Sequence, residues 1–281
     1  MLVPQILIVD PLSGFGVDGR TGPRQPDGVK LSANLGFLWQ ELELSDAIRA
    51  AKAAGFDAVE VHWPYITHAL EVALTLEETG LPLLSLNTVP GNLAAGDFGL
   101  AAVPGRENEA QSAIDKALSY AADVAARWVH VLAGLAEGGQ ADSTFVANMR
   151  YAALRGREYG VGILIEPMSA AVKPGYFLND FAQAADVIDR IGEPNVKVLL
   201  DCYHAVSADQ EPLAVVRYLG DRLGHVQFSS YPDRTEPDHG LVDYVELLPQ
   251  LVAAGYAGYF GAEYHPTKRT AESLEWMDMF R

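Results

Sequence analysis

VKVLLDCYH, residues 196–204, reads as a short buried strand that breaks off at a carboxylate, Asp201, with a histidine, His204, three residues beyond. The same grammar recurs on both sides of it. Upstream, GILIE ends at Glu166. Downstream, GHVQF carries Gln227 and FGAEY carries Glu263 at or beside its end. Further short apolar runs at 30–34, 58–62, 83–87 and 128–132, with those at 162–166, 196–201, 225–228 and 258–263, give eight candidate strands. Continuous apolar runs are what strands covered on both faces require. Amphipathic segments lie between them, with stops at Gly55, Gly80, Gly160 and Gly192. Ser45 and Thr270 stand where N-caps belong, and Pro249 predicts a kink or a late start in the segment DYVELLPQLVAAG.

Eight strand–helix units joined by right-handed crossovers predict a single (β/α)8 TIM barrel over residues 29–281, preceded by an irregular Gly- and Pro-rich extension over residues 1–28. The length of 281 residues suits such a barrel, which typically takes about 250. An open doubly wound sheet is the competing architecture, weakened because no Gly-rich phosphate loop follows the first strand. The connection VPGNLAAGDFGLAAVPGRENEA, between the third and fourth strands, is long enough to act as a lid on the catalytic face.

Composition narrows the function. The net charge of −17 argues against a nucleic-acid partner. A single cysteine, Cys202, excludes an intramolecular disulfide and fits a reducing compartment; its place beside a buried strand end favours inert packing over reactivity. No apolar run reaches the length of a membrane span, and MLVPQILIVD lacks the basic flank and cleavage site of a signal peptide, so a cytoplasmic protein is expected, free to form a homo-oligomer.

In a parallel barrel the C-terminal strand ends open onto one face, where active sites are built. Glu166, Asp201, Gln227 and Glu263 would converge there as an oxygen-rich nest for a divalent metal. Mg²⁺ or Mn²⁺ suits such ligands best, with Zn²⁺ an alternative. A metal and two carboxylates on one small hydroxy-carbonyl substrate suggest proton transfer at carbon through an enediolate. His204 points into the same mouth as a substrate ligand, a proton shuttle or an orienting group. Glu60 and His62 share one side of the second strand, and His62 is either a substrate contact or a structural residue. Arg234 either grips the substrate or is a solvated loop arginine. Phe37, Trp39, Trp63 and Tyr176 follow strand ends and are candidates for the pocket wall or for ordinary packing. His130 and His68 read as structural.

At these residues the chain resembles the hydroxypyruvate isomerase family of xylose-isomerase-like barrels. The likeness runs from residue 31 to the C-terminus on SANLGFLW, GFDAVEVHWPY, AAVPGREN, LIEPMSAAVKPGYFL, LLDCYH, GHVQFSSYPDRTEP and GYAGYFGAEYHP. It implies an isomerase or epimerase with Glu166, Asp201, Gln227 and Glu263 as metal set. Glu166 and Glu263 would be the catalytic pair, with His204, Glu60, His62 and Arg234 as helpers. The chain departs from the family pattern around the substrate. Ser169, Ala170 and Ala171 replace an Asn, a Thr-like residue and an Arg, and His265, a candidate substrate contact, replaces a Lys. Residues 229–234 read SSYPDR, and Pro237-Asp238-His239-Gly240-Leu241 replaces a Pro-Gly-Thr-Gly-Glu-like turn. Two basic groups that would hold a substrate carboxylate are weakened or lost. A dehydratase acting on a cyclic polyol shares the same enediolate chemistry. An endonuclease-like metallohydrolase would need a histidine-rich zinc centre, and Gln227 stands where one of its histidines belongs.

Overall fold

Short strands with apolar side chains on both faces can bury themselves only between a ring of helices and a filled interior. The computed structural model describes residues 29–280, and the expectation for residues 1–28 lies outside them. Eight parallel strands are described: β1 (Leu31–Asn34), β2 (Ala58–Glu60), β3 (Ser85–Asn87), β4 (Trp128–His130), β5 (Gly162–Ile165), β6 (Val196–Asp201), β7 (Leu223–Phe228) and β8 (Phe260–Ala262). They are ordered β2-β1-β8-β7-β6-β5-β4-β3. The two edges meet at a parallel bridge between Val59 and Leu83, and the Leu84 amide donates to the Val59 carbonyl at 2.8 Å. The sheet therefore closes as a barrel.

The helices are α1 (Leu44–Ala54), α2 (Ala69–Thr79), α3 (Glu107–Asp123), α4 (Gly138–Tyr159), α5 (Phe181–Ile191), α6 (Cys202–Ser207), α7 (Pro212–Leu219) and α8 (Tyr244–Ala253). Gly55, Gly80, Gly160 and Gly192 all end helices in the left-handed conformation, as expected. The two proposed caps fail for one reason: each hydroxyl is used elsewhere. Ser45 donates to Glu71 of α2 at 2.6 Å, and α1 starts earlier, with Glu43 at its N-cap. Thr270 accepts from the Trp39 amide at 2.7 Å. The segment behind it forms two 3-10 turns, Thr270–Glu272 and Glu275–Phe280, rather than an eighth outer helix. Helix α8 starts at Tyr244 under an Asp243 cap and runs through Pro249, so there is no late start. No helix among the described residues is long and apolar enough to cross a membrane.

Period-two alternation sets the interior. Trp128, Leu164 and Leu199 form a separate apolar cluster, a lower layer from three adjacent strands. Two residues further along those strands stand His130, Glu166 and Asp201. The paired registers Asn34 with Glu60, Asn87 with His130 and Asp201 with Gln227 place polar residues at the same height on the other strands. Glu166 and Glu263 stand one residue past β5 and β8. Every strand thus carries a polar side chain near its C-terminal end, above an apolar floor, and all but Glu60 of β2 lie at the mouth.

The long β3–α3 connection is not a free strap. The Ala102 amide donates to the Ala133 carbonyl at 2.7 Å, the Asn148 side chain donates to the Ala101 carbonyl, and Arg106 pairs with Asp97 at 2.7 Å. Phe98 is what it presents to the mouth.

Candidate active site

A cavity of about 150 Å³ opens at the mouth. Glu166, Gln227, Glu263, His204, His62 and Arg234 line it, together with Asn34, Asn87, His130, Phe98 and Lys173.

The two glutamates meet very different surroundings. Glu263 is saturated with donors. Its Oε1 accepts from Asn34 Nδ2 at 2.9 Å and lies 3.1 Å from His62 Nε2, and its Oε2 accepts from Arg234 at 2.6 Å. Burial alone would raise its pKa, but Arg234 and His62 outweigh burial and hold the carboxyl down at about 2. Glu166 accepts no hydrogen bond among the described residues. His130 Nε2 lies 3.6 Å and His204 Nε2 3.9 Å from its carboxylate oxygens. Burial, reinforced by the charges of Glu263 and Asp201, pushes it well above the usual carboxylate range.

Asp201 ends β6 and caps α6: Oδ1 accepts from the Tyr203 amide, and Oδ2 accepts from Arg234, both at 2.9 Å. Burial lifts its pKa to about 7 against the pull of Arg234. The turn of α6 brings His204 back over the mouth, 3.8 Å from Asp201 Oδ2. Burial and the Arg234 charge lower His204 to about 3, and burial lowers His130 to about 4, so both rings are neutral. Arg234 stands at a left-handed φ of 55°. Its guanidinium lies 4.8 Å from the Tyr203 ring centroid and 5.3 Å from that of Phe37.

Glu166, Asp201 and His204 offer ligand atoms that all lie within 4.8 Å of one another. The donor set fits a divalent cation on two counts. The His204 contacts to both carboxylates are too long for hydrogen bonds and suit ligands spaced around an ion. In addition, Arg234 pairs with Asp201 and Glu263, while buried Glu166 has no hydrogen-bonded partner among the described residues, a gap that a cation would fill. His204, read from sequence as a substrate contact, thus belongs to the compact ligand group. Glu263 lines the same cavity but is turned onto Arg234, Asn34 and His62.

Two expected substrate contacts lie elsewhere. Glu60 is buried beneath the cavity and does not line it. Its Oε2 accepts from Gln227 Nε2 at 2.8 Å, and its Oε1 lies 3.0 Å from His225 Nε2. Glu60 reaches β7 from β2 because Gly261 lies between: a Cβ there would overlap the Glu60 carboxylate and the Gln227 side chain. His265 is exposed. Its ring packs on Phe37 at 4.4 Å, and its amide donates to the Arg234 carbonyl at 2.8 Å. Of the aromatic candidates, Phe37 and Trp63 wall the cavity. Trp39 is packed in the core, and the Tyr176 hydroxyl accepts from the Ala133 amide.

Sequence reading passed over Asn34 because it searched the strand ends for carboxylates. It passed over His130 because it drew β4 two residues too long, which buried the histidine in mid-strand. His68 is structural as expected, accepting the Leu70 amide at the start of α2.

A closed parallel barrel with a buried Glu–Asp–His cluster at its C-terminal mouth defines a metal-binding barrel of the kind that handles small polar substrates. Residues 48–279 match the family model of the xylose isomerase-like TIM barrel, and the chain belongs to that family. It is 37% identical to a 2-oxo-tetronate isomerase of Pectobacterium atrosepticum over 253 residues, covering 89% of this chain and 97% of that one. It is 32% identical to the hydroxypyruvate isomerase of Escherichia coli K12, covering 90% and 100%. A Brucella melitensis crystal structure described as an AP endonuclease of family 2 superposes with a TM-score of 0.86 at 36% identity, covering 90% and 99%.

Proposed function

We propose that this chain interconverts a small 2-oxo-3-hydroxy acid and its 2-hydroxy-3-oxo isomer, of the hydroxypyruvate or 2-oxo-tetronate kind, with Glu166 and Glu263 as the proton-transfer pair. The coarser statement is plain: the chain is a metal-assisted isomerase of this barrel family, acting on a small carbohydrate or oxo-acid compound. The observation that carries the finer reading is the opposed proton affinity of two glutamates lining one cavity, Glu263 held down at about 2 and Glu166 pushed well above the usual carboxylate range. Carboxyls driven apart in this way divide into a base and an acid.

In the forward direction Glu263 takes the proton from the hydroxyl-bearing carbon. Glu166 delivers one to the neighbouring former carbonyl carbon, the hydroxyl proton passes to the adjacent oxygen, and solvent restores both carboxyls. Asn34 and His62 hold Glu263 in place throughout. When bound at Glu166, Asp201 and His204, with Gln227 and Glu263 beside them, a divalent cation supplies a Lewis acid to the carbonyl and hydroxyl oxygens. Mg²⁺ or Mn²⁺ suits this mainly oxygen set. Cleavage of a nucleic acid fits the molecule less well, because its net charge of −17 repels phosphates and its cavity of about 150 Å³ admits only a small molecule.

The test uses E166Q and E263Q in D₂O with the Mn²⁺-loaded protein and a panel of three- to six-carbon oxo-acids and ketoses. Each variant should lose on the order of 10²–10⁴ in turnover. E263Q should also abolish C–H exchange, while E166Q should keep exchange and form no product. Either variant retaining above roughly a tenth of wild-type turnover would sink the assignment. Loss of water from the substrate in place of isomerisation would mark a dehydratase.

A further inference from the structure

We infer that Lys173 is the residue that selects a substrate bearing a carboxylate next to its reacting carbonyl, a specificity role that rests on the isomerase reading above. Lys173 lies on the β5–α5 loop, seven positions after Glu166, and lines the same cavity. Its amide donates to the Ser169 carbonyl at 2.8 Å, which closes the turn that carries it. Its ammonium sits 3.8 Å from the ring centroid of Phe98, the residue that the long β3–α3 loop presents to the mouth. Phe98 in turn packs edge-on to buried Tyr176 at 6.2 Å. A lysine lodged on an aromatic face keeps N–H donors free for a ligand, with its position fixed.

The other cationic candidates around the cavity are already committed. Arg234 is taken by Asp201 and Glu263. His62 faces Glu263, and His130 and His204 face Glu166. Lys173 meets no carboxylate among the described residues. A neutral sugar would leave this ammonium without an anionic partner. The carboxylate of an oxo-acid gives it one while the adjacent carbonyl and hydroxyl face the glutamates.

The experiment compares two probes that differ only in charge, glycerate and glyceramide, titrated calorimetrically into the Mn²⁺-loaded full chain. Wild type should prefer glycerate. K173M should bring glycerate down about 10- to 100-fold, the range for one charged hydrogen bond. The same variant should leave glyceramide and Mn²⁺ affinity unchanged, and K173R should recover most of the loss. On any oxo-acid that turns over, K173M should raise KM with kcat nearly constant, and a neutral ketose of equal length should be unaffected. Equal binding of the two probes by wild type, or unchanged glycerate affinity in K173M, overturns the role of Lys173. Absence of C–H exchange on every hydroxy-carbonyl compound would instead overturn the isomerase reading, and the probe titration still decides Lys173.

Discussion

Glu60 has no exposed surface, yet it sets the chemistry above it. An amide is ambiguous by half a turn: either its oxygen or its nitrogen can face the cavity. By accepting from Gln227 Nε2, Glu60 turns the Gln227 oxygen toward the mouth, where an oxygen-seeking ion needs it. Glu60→Gln should therefore keep the fold and lose about 10- to 100-fold in Mn²⁺ affinity, as replacements behind metal ligands commonly do. Isothermal titration of the stripped protein measures it, and unchanged affinity would mean that Gln227 needs no such support. The sequence revealed Glu60 as an inward-facing residue of β2 but not its depth. Alternation gives the side of a strand; whether an interior residue reaches the cavity depends on side chains across the barrel, here Gly261 and Gln227 on other strands.

At the scale of the element, the loop after β7 does the most work per residue. It turns Arg234 back beneath Phe37 and Tyr203 and sets its guanidinium between Asp201 and Glu263. Removing the charge while keeping apolar bulk, as in Arg234→Met, leaves two buried carboxylates face to face. Breaking such a buried arrangement from one side costs about 3–5 kcal/mol. Urea denaturation of the metal-free variant should show a loss of that order, and added Mn²⁺ should restore part of it by binding the native state alone. A loss below about 1 kcal/mol, the scale of an exposed pair, would show that Arg234 is solvated in the native protein. The elements themselves were largely legible. All eight strands fall where apolar runs predicted them, and helix stops at glycine were read correctly because a left-handed residue is a local requirement. Helix starts were read less well, because Ser45 and Thr270 bond to other segments, and local spacing carries no record of a distant acceptor.

At the scale of the whole molecule, the barrel converts eight local patterns into one shared electrostatic problem: carboxylates that are ordinary in sequence become mutually dependent once the strands close. Their proton affinities could not be read from the chain, since they arise from burial and from neighbours far apart in sequence. The consequence is a pH dependence of metal binding. Asp201 is raised to about 7, so in the metal-free protein it holds a proton at mildly acidic pH, and burial pushes Glu166 upward as well. His204, lowered to about 3, and Glu263, lowered to about 2, hold none there. A cation binds deprotonated carboxylate oxygens, so its binding must release the proton of Asp201, whereas Glu166 can ligate through one oxygen and keep on the other the proton it delivers. The sign follows: apparent Mn²⁺ affinity should be weak at pH 5.5 and rise with pH through 7. Its slope should fall once Asp201 is fully ionised. Titrations in two buffers of different ionisation enthalpy count the protons released, and the count should be close to one near pH 6. Affinity that is flat between pH 5.5 and 8, with no proton release, would show that Asp201 is already ionised in the metal-free protein and that burial does not set its proton affinity.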